Sequence, residues 1–239
     1  MILALADKVA VVSGGASGIG EACVEFLAAS GATAYVVDLG GDRPIDVTDR
    51  GQLDALAADI EAERGGLDIL VNAAGILTEN RPFDQQPAED FRRNLEVNLL
   101  GTVNTCQAFA ELLKARRGAV VNISSQAGLV SLPMQAAYSA SKGGVIALTR
   151  SLAIDWAEEG VRANCVCPGF VRTAMTKEFF ENETFVAAAK KRIPIGRIFD
   201  PSEVASVVCF LASPLAAGLT GTTLPIDGGW TAGEPALPW

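Results

Sequence analysis

The run Lys8-Val9-Ala10-Val11-Val12-Ser13-Gly14-Gly15-Ala16-Ser17-Gly18-Ile19-Gly20 decides the fold. Lys8 to Val12 is a short, valine-rich apolar stretch, the pattern of a buried strand. It enters a glycine-rich turn, and Glu21 to Ala29 follows with helical spacing, closed by Ser30-Gly31. Strand, glycine turn, helix is the context that a dinucleotide-binding fingerprint requires. Glycines let the backbone approach a pyrophosphate, and the helix N-terminus supplies unpaired N–H groups and the positive end of its dipole. The spacing is G-x-x-x-G-x-G through Gly14, Gly18 and Gly20, not G-x-G-x-x-G. Such a loop, taken alone, also fits an ordinary tight turn.

Ala32 to Val37 reads as the next strand. Asp38 at its end lies eighteen residues after Gly20, the offset of a carboxylate that accepts hydrogen bonds from adenosine ribose hydroxyls. An acid there repels a 2′-phosphate. Neither Gly15–Ser17 nor Leu39 brings a base to welcome one, and Arg43 is set off by Gly40-Gly41. The balance favours NAD over NADP.

Further along, Ala137-Tyr138-Ser139-Ala140-Ser141-Lys142 opens a stretch in which Val145, Ile146, Leu148, Leu152, Ala153 and Trp156 recur at helical spacing. Residues four apart share a helix face, so the spacing places the Tyr138 phenol beside the Lys142 ammonium. A free tyrosine titrates near about 10. A neighbouring cation favours the phenolate, which makes the pair a candidate proton donor and acceptor.

Composition narrows the function. The 239 residues are 49% hydrophobic, enough for one sizeable α/β domain and too apolar for disorder. The net charge of −9 argues against a nucleic-acid partner. No apolar run reaches the length of about 20 residues that spans a bilayer. Met1–Lys8 lacks a basic n-region, so no signal peptide is expected. Cys23, Cys106, Cys165, Cys167 and Cys209 read as buried thiols of a reducing, cytoplasmic compartment. There is no histidine, which removes His-based catalysis and nearly all zinc chemistry; no metal site is expected.

With the glycine turn, Asp38 and Tyr138-x-x-x-Lys142 in hand, the sequence resembles the short-chain dehydrogenase/reductase family from Lys8 to Trp230, with Ser13 where the family usually has Thr. The resemblance implies that Gly14, Ser17, Gly18, Ile19 and Gly20 form the phosphate turn. Asp46 and Val47 would border the adenine. Asn72-Ala73-Ala74-Gly75 would turn beside the cofactor, with Asn72 structural and bonded to neighbouring backbone. Phe91 to Lys114 reads as a long helix interrupted near Asn98-Leu99-Leu100-Gly101, since Asn and Gly both cost helix propensity. Family members use the Asn at this position to hold a water that links Lys142 to solvent. The catalytic serine precedes the tyrosine by thirteen, which selects Ser125 over Ser124. Pro168, Gly169, Val171 and Thr173 would flank the nicotinamide. Residues 174–199 read as polar and irregular, a lid over the substrate or a surface helix pair anchored by Phe179, Phe180 and Phe185. Gln126, Gln135 and Met175 are substrate-facing candidates beside Ser125. Relatives are commonly tetramers, so a homotetramer is expected, with Trp239 buried at an interface.

Strands alternating with helices give an α/β, doubly wound, Rossmann-like parallel sheet in three α/β/α layers, a single domain over 1–239. The function expected is an NAD-dependent oxidoreductase that interconverts a secondary alcohol (a polyol, sugar or other small hydroxy compound) and a ketone. Asn98, Ser125, Tyr138 and Lys142 would carry the reaction. Two alternatives stand beside it. One is a 3-oxoacyl-thioester reductase. The other is a non-catalytic dinucleotide-binding sensor or scaffold, because fold does not fix function.

Overall fold

The computed structural model describes residues 3–40 and 43–233. The elements run β1 (Val9–Ser13), α1 (Gly18–Ala29), β2 (Thr33–Val37), α2 (Arg50–Arg64), β3 (Ile69–Asn72) and α3 (Ala88–Asn94). A π-helical turn over Leu95–Leu100 leads into α4 (Gly101–Ala108) and α5 (Ala110–Arg116). Then follow β4 (Ala119–Ile123), α6 (Ala136–Asp155), β5 (Arg162–Pro168), α7 (Lys177–Glu181), α8 (Glu183–Arg192), α9 (Pro201–Ala212) and β6 (Thr223–Ile226). The strands form a parallel sheet in the order β2-β1-β3-β4-β5-β6.

The strands read as apolar runs because both faces of the sheet are covered. Their side chains still alternate. Ala10, Val12, Ile69, Val71, Val121 and Ile123 enter one core with Leu27 of α1 and Val204 and Val208 of α9. Val9, Val11, Leu70 and Val120 enter the other with Leu53 and Ile60 of α2, Leu113 of α5 and Leu152 of α6. From β1 the chain passes outward to β2, then returns to the other side of β1 for β3. The loops after β1 and β3 therefore diverge, and a crevice opens above the strand ends, where ligands bind in such sheets.

Register lines those ends up. Ser13 pairs with Val37 and Asn72, and Asn72 with Asn122. On the face toward α4 and α6 this creates a buried polar bridge. Asn72 donates to Asn122 Oδ1 (2.8 Å), Asn122 donates to Thr149 of α6 (2.9 Å), and Thr105 of α4 donates to Asn72 Oδ1 (2.6 Å). Asn72 is thus structural as expected, but it bonds side chains across the sheet and not neighbouring backbone.

The expected long helix begins earlier, at Ala88, and is divided by the π turn at Asn98 and again at Phe109. Residues 174–199 are more ordered than the sequence suggested. A short 3-10 turn (Ala174–Thr176) is followed by α7 and α8, started by Asn182, which accepts from Phe185 N at 3.1 Å. Polar composition hid these helices because they lie on the surface: α7 buries no residue and α8 only Ala189. Phe185 packs on Phe179 and Phe170, and Phe170 on Trp230, so the phenylalanines do act as anchors. The expectation for Trp239 and the tail from 234 lies outside the described residues. Among the described residues, no helix is long and apolar enough to cross a membrane.

Replacing Asn122 by Ala removes two buried hydrogen bonds, leaving Thr149 its donation to Val145 O at 2.8 Å and Asn72 Nδ2 only the weaker Cys106 Sγ acceptor at 3.4 Å. Urea unfolding of Asn122→Ala is expected to show a loss of about 1–3 kcal/mol, the scale of a small cavity plus lost buried hydrogen bonds. Unchanged stability would remove the bridge from the account.

Candidate active site

The glycine turn is shaped by contact. Gly14 has φ 69°, and a Cβ there would stand 2.6 Å from Ala74 N; one on Gly20 would stand 2.0 Å from Gly14 O. The loop after β1 is thereby pressed against the loop after β3, with Ala73 N donating to Ser13 O at 3.0 Å. Ser17 holds the N-cap position of α1, yet its hydroxyl makes no capping hydrogen bond. The first N–H groups of α1 are left for an anion.

Above the strand ends lies a cleft of about 460 Å³. Gly14 and Ser17–Gly20 line it, with Asp38, Asp46, Val47, Ala73–Gly75, Ser125, Tyr138, Lys142, Pro168, Gly169, Val171, Thr173 and Met175. Asn72, Asn98, Gln126 and Gln135 are not brought to its wall. Asn72 is engaged in the bridge beneath. Gln135 begins α6, its carbonyl accepting from Ser139 N at 2.8 Å. Gln126 is buried beneath the turn at Gly169; its Oε1 has no partner among the described residues and lies 3.1 Å from where a Gly169 Cβ would be. A larger hollow of about 770 Å³ lies alongside, between α1 and α7, and lacks Ser125, Tyr138 and Lys142.

Asp38 accepts from Ala16 N and Gly40 N, both at 3.0 Å, which fixes its carboxylate at the tip of β2. Arg43 is bound to Asp59 on α2 at 2.7 Å. Asp46 Oδ1 accepts from Thr48 N and Thr48 Oγ1, both at 2.8 Å. The glycine cradle, the uncapped helix start and the carboxylate at the far end suit a dinucleotide.

At the opposite end, α6 delivers Tyr138 and Lys142. The Ser125 hydroxyl accepts from Ala127 N at 3.1 Å and lies where it favours the ionised form of the Tyr138 hydroxyl. Lys142 is buried and donates to Ile123 O at 2.9 Å. Its Nζ lies 5.8 Å from the centre of the Tyr138 ring. The electrostatics depart from what the spacing suggested. Burial pushes the Tyr138 hydroxyl up from its ordinary value, the Ser125 hydrogen bond pulls it back, and Cys167 beneath adds to the rise. Burial pushes Lys142 down to about 8. Helical spacing put the two groups on one face but said nothing of how deeply that face is covered, and desolvation outweighs their mutual effect.

Asn98 is fully buried. Its Oδ1 accepts from Ile76 N (2.7 Å), and its Nδ2 donates to Ile76 O (3.0 Å) and Ser141 Oγ (3.0 Å). Ser124 Oγ donates to Lys142 O at 2.8 Å, so it ties β4 to α6 and does not serve local backbone. Sequence reading missed Ile76, Arg93 and Val97 on the cleft wall. Arg93 and Val97 sit four apart, the helical spacing that leads on from Arg93 to the residue before Asn98. Ser141, which holds Asn98, carried no signal of its own.

The lysine generates a pH test. With its folded value lowered to about 8 from 10.5, the native state holds fewer protons than the unfolded chain between those limits. Stability attributable to this residue is therefore lowest below about pH 8 and rises through that window. Relative to Lys142→Met, the wild-type unfolding free energy is expected to gain about 3 kcal/mol between pH 7.5 and 10.5. A flat difference in paired denaturation curves would count against a desolvated ammonium.

Residues 14–231 match the protein family described as enoyl-(acyl carrier protein) reductase. An uncharacterized short-chain type dehydrogenase/reductase of Sinorhizobium fredii is 40% identical over 93% of this chain, which spans 43% of that longer protein. A D-threitol dehydrogenase of Mycolicibacterium smegmatis is 40% identical over 95% of this chain and 94% of its own length. A 3-oxoacyl-[acyl-carrier-protein] reductase of Vibrio cholerae is 38% identical over 94% and 98%. Among solved structures, the ligand-free aldohexose dehydrogenase of Thermoplasma acidophilum has a TM-score of 0.93 at 32% identity, covering 100% of this chain and 99% of that one. A gluconate 5-dehydrogenase of Burkholderia cenocepacia in complex with NADP and tartrate has a TM-score of 0.92 at 31% identity, covering 97% and 98%.

Proposed function

The chain belongs to the short-chain dehydrogenase/reductase family, whose oxidoreductases act on CH–OH groups with NAD(P), and within it we propose an enzyme that uses NAD to interconvert a small secondary alcohol, of the polyol or sugar kind, and its ketone. The observation that carries the reading is the meeting of Ser125, Tyr138 and Lys142 at one end of a cleft whose other end holds Asp38. Relatives named as D-threitol dehydrogenase and aldohexose dehydrogenase support the substrate class.

When bound, the nicotinamide ring supplies the hydride acceptor. In the oxidation, Tyr138 takes the hydroxyl proton. Burial raises its pKa and so favours the protonated phenol at rest, so it acts as a base only with cationic help from Lys142 and the positive oxidised ring. Ser125 donates to the oxygen that becomes the carbonyl. Lys142, steered by Ile123 O, supports the phenolate and holds the nicotinamide ribose. A water beside Asn98 and Lys142 returns the proton to solvent; both Asn98 Oδ1 and Lys142 Nζ flank Gly75, where a Cβ would lie 3.1 and 3.3 Å from them. Met175, on the cleft wall, contacts the substrate, and residues 174–199 cover it as the lid of a single domain. Copies assemble as a tetramer; Leu100 of the π turn and Ile154 of α6, both exposed, support pairing through those helices.

NAD is favoured because Asp38 occupies the ribose end and Arg43 is held away on Asp59. The second reading, a 3-oxoacyl-thioester reductase, draws on the Vibrio cholerae relative. It would want NADPH and a basic approach for an acidic carrier, and Asp38 and the net charge of −9 oppose both.

Tyr138→Phe is expected to lose about a hundredfold or more in NAD-linked oxidation of a polyol panel, the scale of general acid–base catalysis, while still binding NADH by fluorescence. Wild-type turnover in that variant would end the assignment. Asp38→Ser is expected to raise the NADP-to-NAD ratio of kcat/KM at least about tenfold, since one repelled phosphate charge is removed. Turnover of acetoacetyl thioesters with NADPH, exceeding that of any polyol with NAD, would favour the second reading. NADH binding without turnover of any alcohol would favour a sensor.

A further inference from the structure

The dinucleotide cleft uses the C-terminal ends of the strands. At the opposite edge of the sheet is a second concavity of about 470 Å³, where β1, β3, β4 and β5 begin. Its charged wall consists of Lys8, Arg116, Arg117 and Arg162 against one carboxylate, Asp68. In a chain of net charge −9 this is a local reversal of sign. Asp68 is already engaged, by Lys8 Nζ at 2.7 Å and Val9 N at 3.0 Å. Glu159, next to Gly160, is turned to Lys114 at 3.8 Å.

The arginines are held in place without acids. Arg162 is half-buried and donates to three backbone carbonyls, Leu211 (2.9 Å), Leu219 (3.2 Å) and Ser213 (3.2 Å). Burial lowers its affinity for its proton, so a ligand anion would relieve a real cost. Arg116 donates to Arg64 O at 2.6 Å, and its stem crosses Gly66 so closely that a Cβ there would lie 2.6 Å from Cγ. Arg117 ends α5 in the left-handed region, φ 51°, and its stem crosses Gly160, where a Cβ would lie 3.2 Å from Cγ and Cδ. Its guanidinium makes no hydrogen bond or ion pair among the described residues. Two glycines thus leave lanes for two arginine stems, and both arginines line one hollow together with Arg162 and Lys8.

We infer that this concavity binds a phosphate group, either inorganic phosphate or a small phosphate ester, through Arg116, Arg117, Arg162 and Lys8. Guanidinium forks match tetrahedral oxyanions in pairs of parallel hydrogen bonds. The hollow is wider than one phosphate, which leaves room for an ester's carbon skeleton. The site is independent of the reading of the dinucleotide cleft.

A ligand that binds only the folded chain raises its melting point. The test is thermal melting in a titration of inorganic phosphate, and separately of glycerol 3-phosphate, against chloride at constant ionic strength, which cancels general screening. A saturable rise is expected in the wild type. A lower half-saturating concentration for glycerol 3-phosphate assigns the site to esters, and equal values assign it to phosphate itself. Arg117→Asn keeps a residue that tolerates the left-handed backbone and should weaken the apparent affinity about tenfold or more, the scale of a lost charge-assisted contact. Arg116→Gln is the independent second variant and should weaken it as well. Absence of a saturable rise in the wild type overturns the proposal. So does unchanged affinity in a folded Arg variant, which would put the anion elsewhere, for example at the start of α1.

Discussion

The carboxamide of Asn98 is the constraint on which the site depends. It fastens the chain beyond β3, through both the N–H and the C=O of Ile76, to the first turns of α6, through Ser141. Tyr138 and Lys142 are on α6, and the Ala73–Gly75 turn is on the segment that Asn98 grips, so the two walls of the cleft are joined by one side chain. The π turn makes this reach available. Its extra residue per turn breaks the helical ladder at this point, a feature that recurs at functional sites. Thr102 donates to the Asn98 carbonyl at 2.9 Å, which satisfies a backbone group near the irregularity.

Beneath that clasp runs the Thr105–Asn72–Asn122–Thr149 bridge, which links α4, two central strands and α6 by side chains alone. Apolar packing sets the layers but is weakly directional. Hydrogen bonds of fixed length add the angular precision that brings Ser125 at the end of β4 to Tyr138 on α6. Lys142 is buried and held by the neutral carbonyl of Ile123, and desolvation is the largest influence on both Tyr138 and Lys142.

Much of this was legible in the sequence, for local reasons. Strand, glycine turn and helix announce themselves within twenty-two residues, Lys8 to Ala29. Asp38 follows from an offset, and the Tyr–Lys pair from a four-residue repeat. The doubly wound sheet follows from alternation. What was not legible depends on contacts between distant segments. The direction of the Tyr138 and Lys142 shifts depends on what lies over and under α6. The partners of Asn72 are set by strand register and by α4. The helices α7 and α8 escaped because few of their residues face a core. The basic hollow gathers Lys8, Arg116, Arg117 and Arg162 from well-separated places, and no spacing rule links them.

The cleft is bounded unequally. On the glycine-turn side, backbone meets backbone, with no room for even a methyl group at Gly14 or Gly20. On the other side the wall ends at Ala174–Thr176, and the two short helices that follow rest on aromatic rings and bury almost nothing. One bank is therefore closed to mutational change, while the other can be rewritten at little thermodynamic cost. Sequence change would accumulate along 174–199 and leave the glycine turn intact, so the scaffold can vary on one flank without refolding.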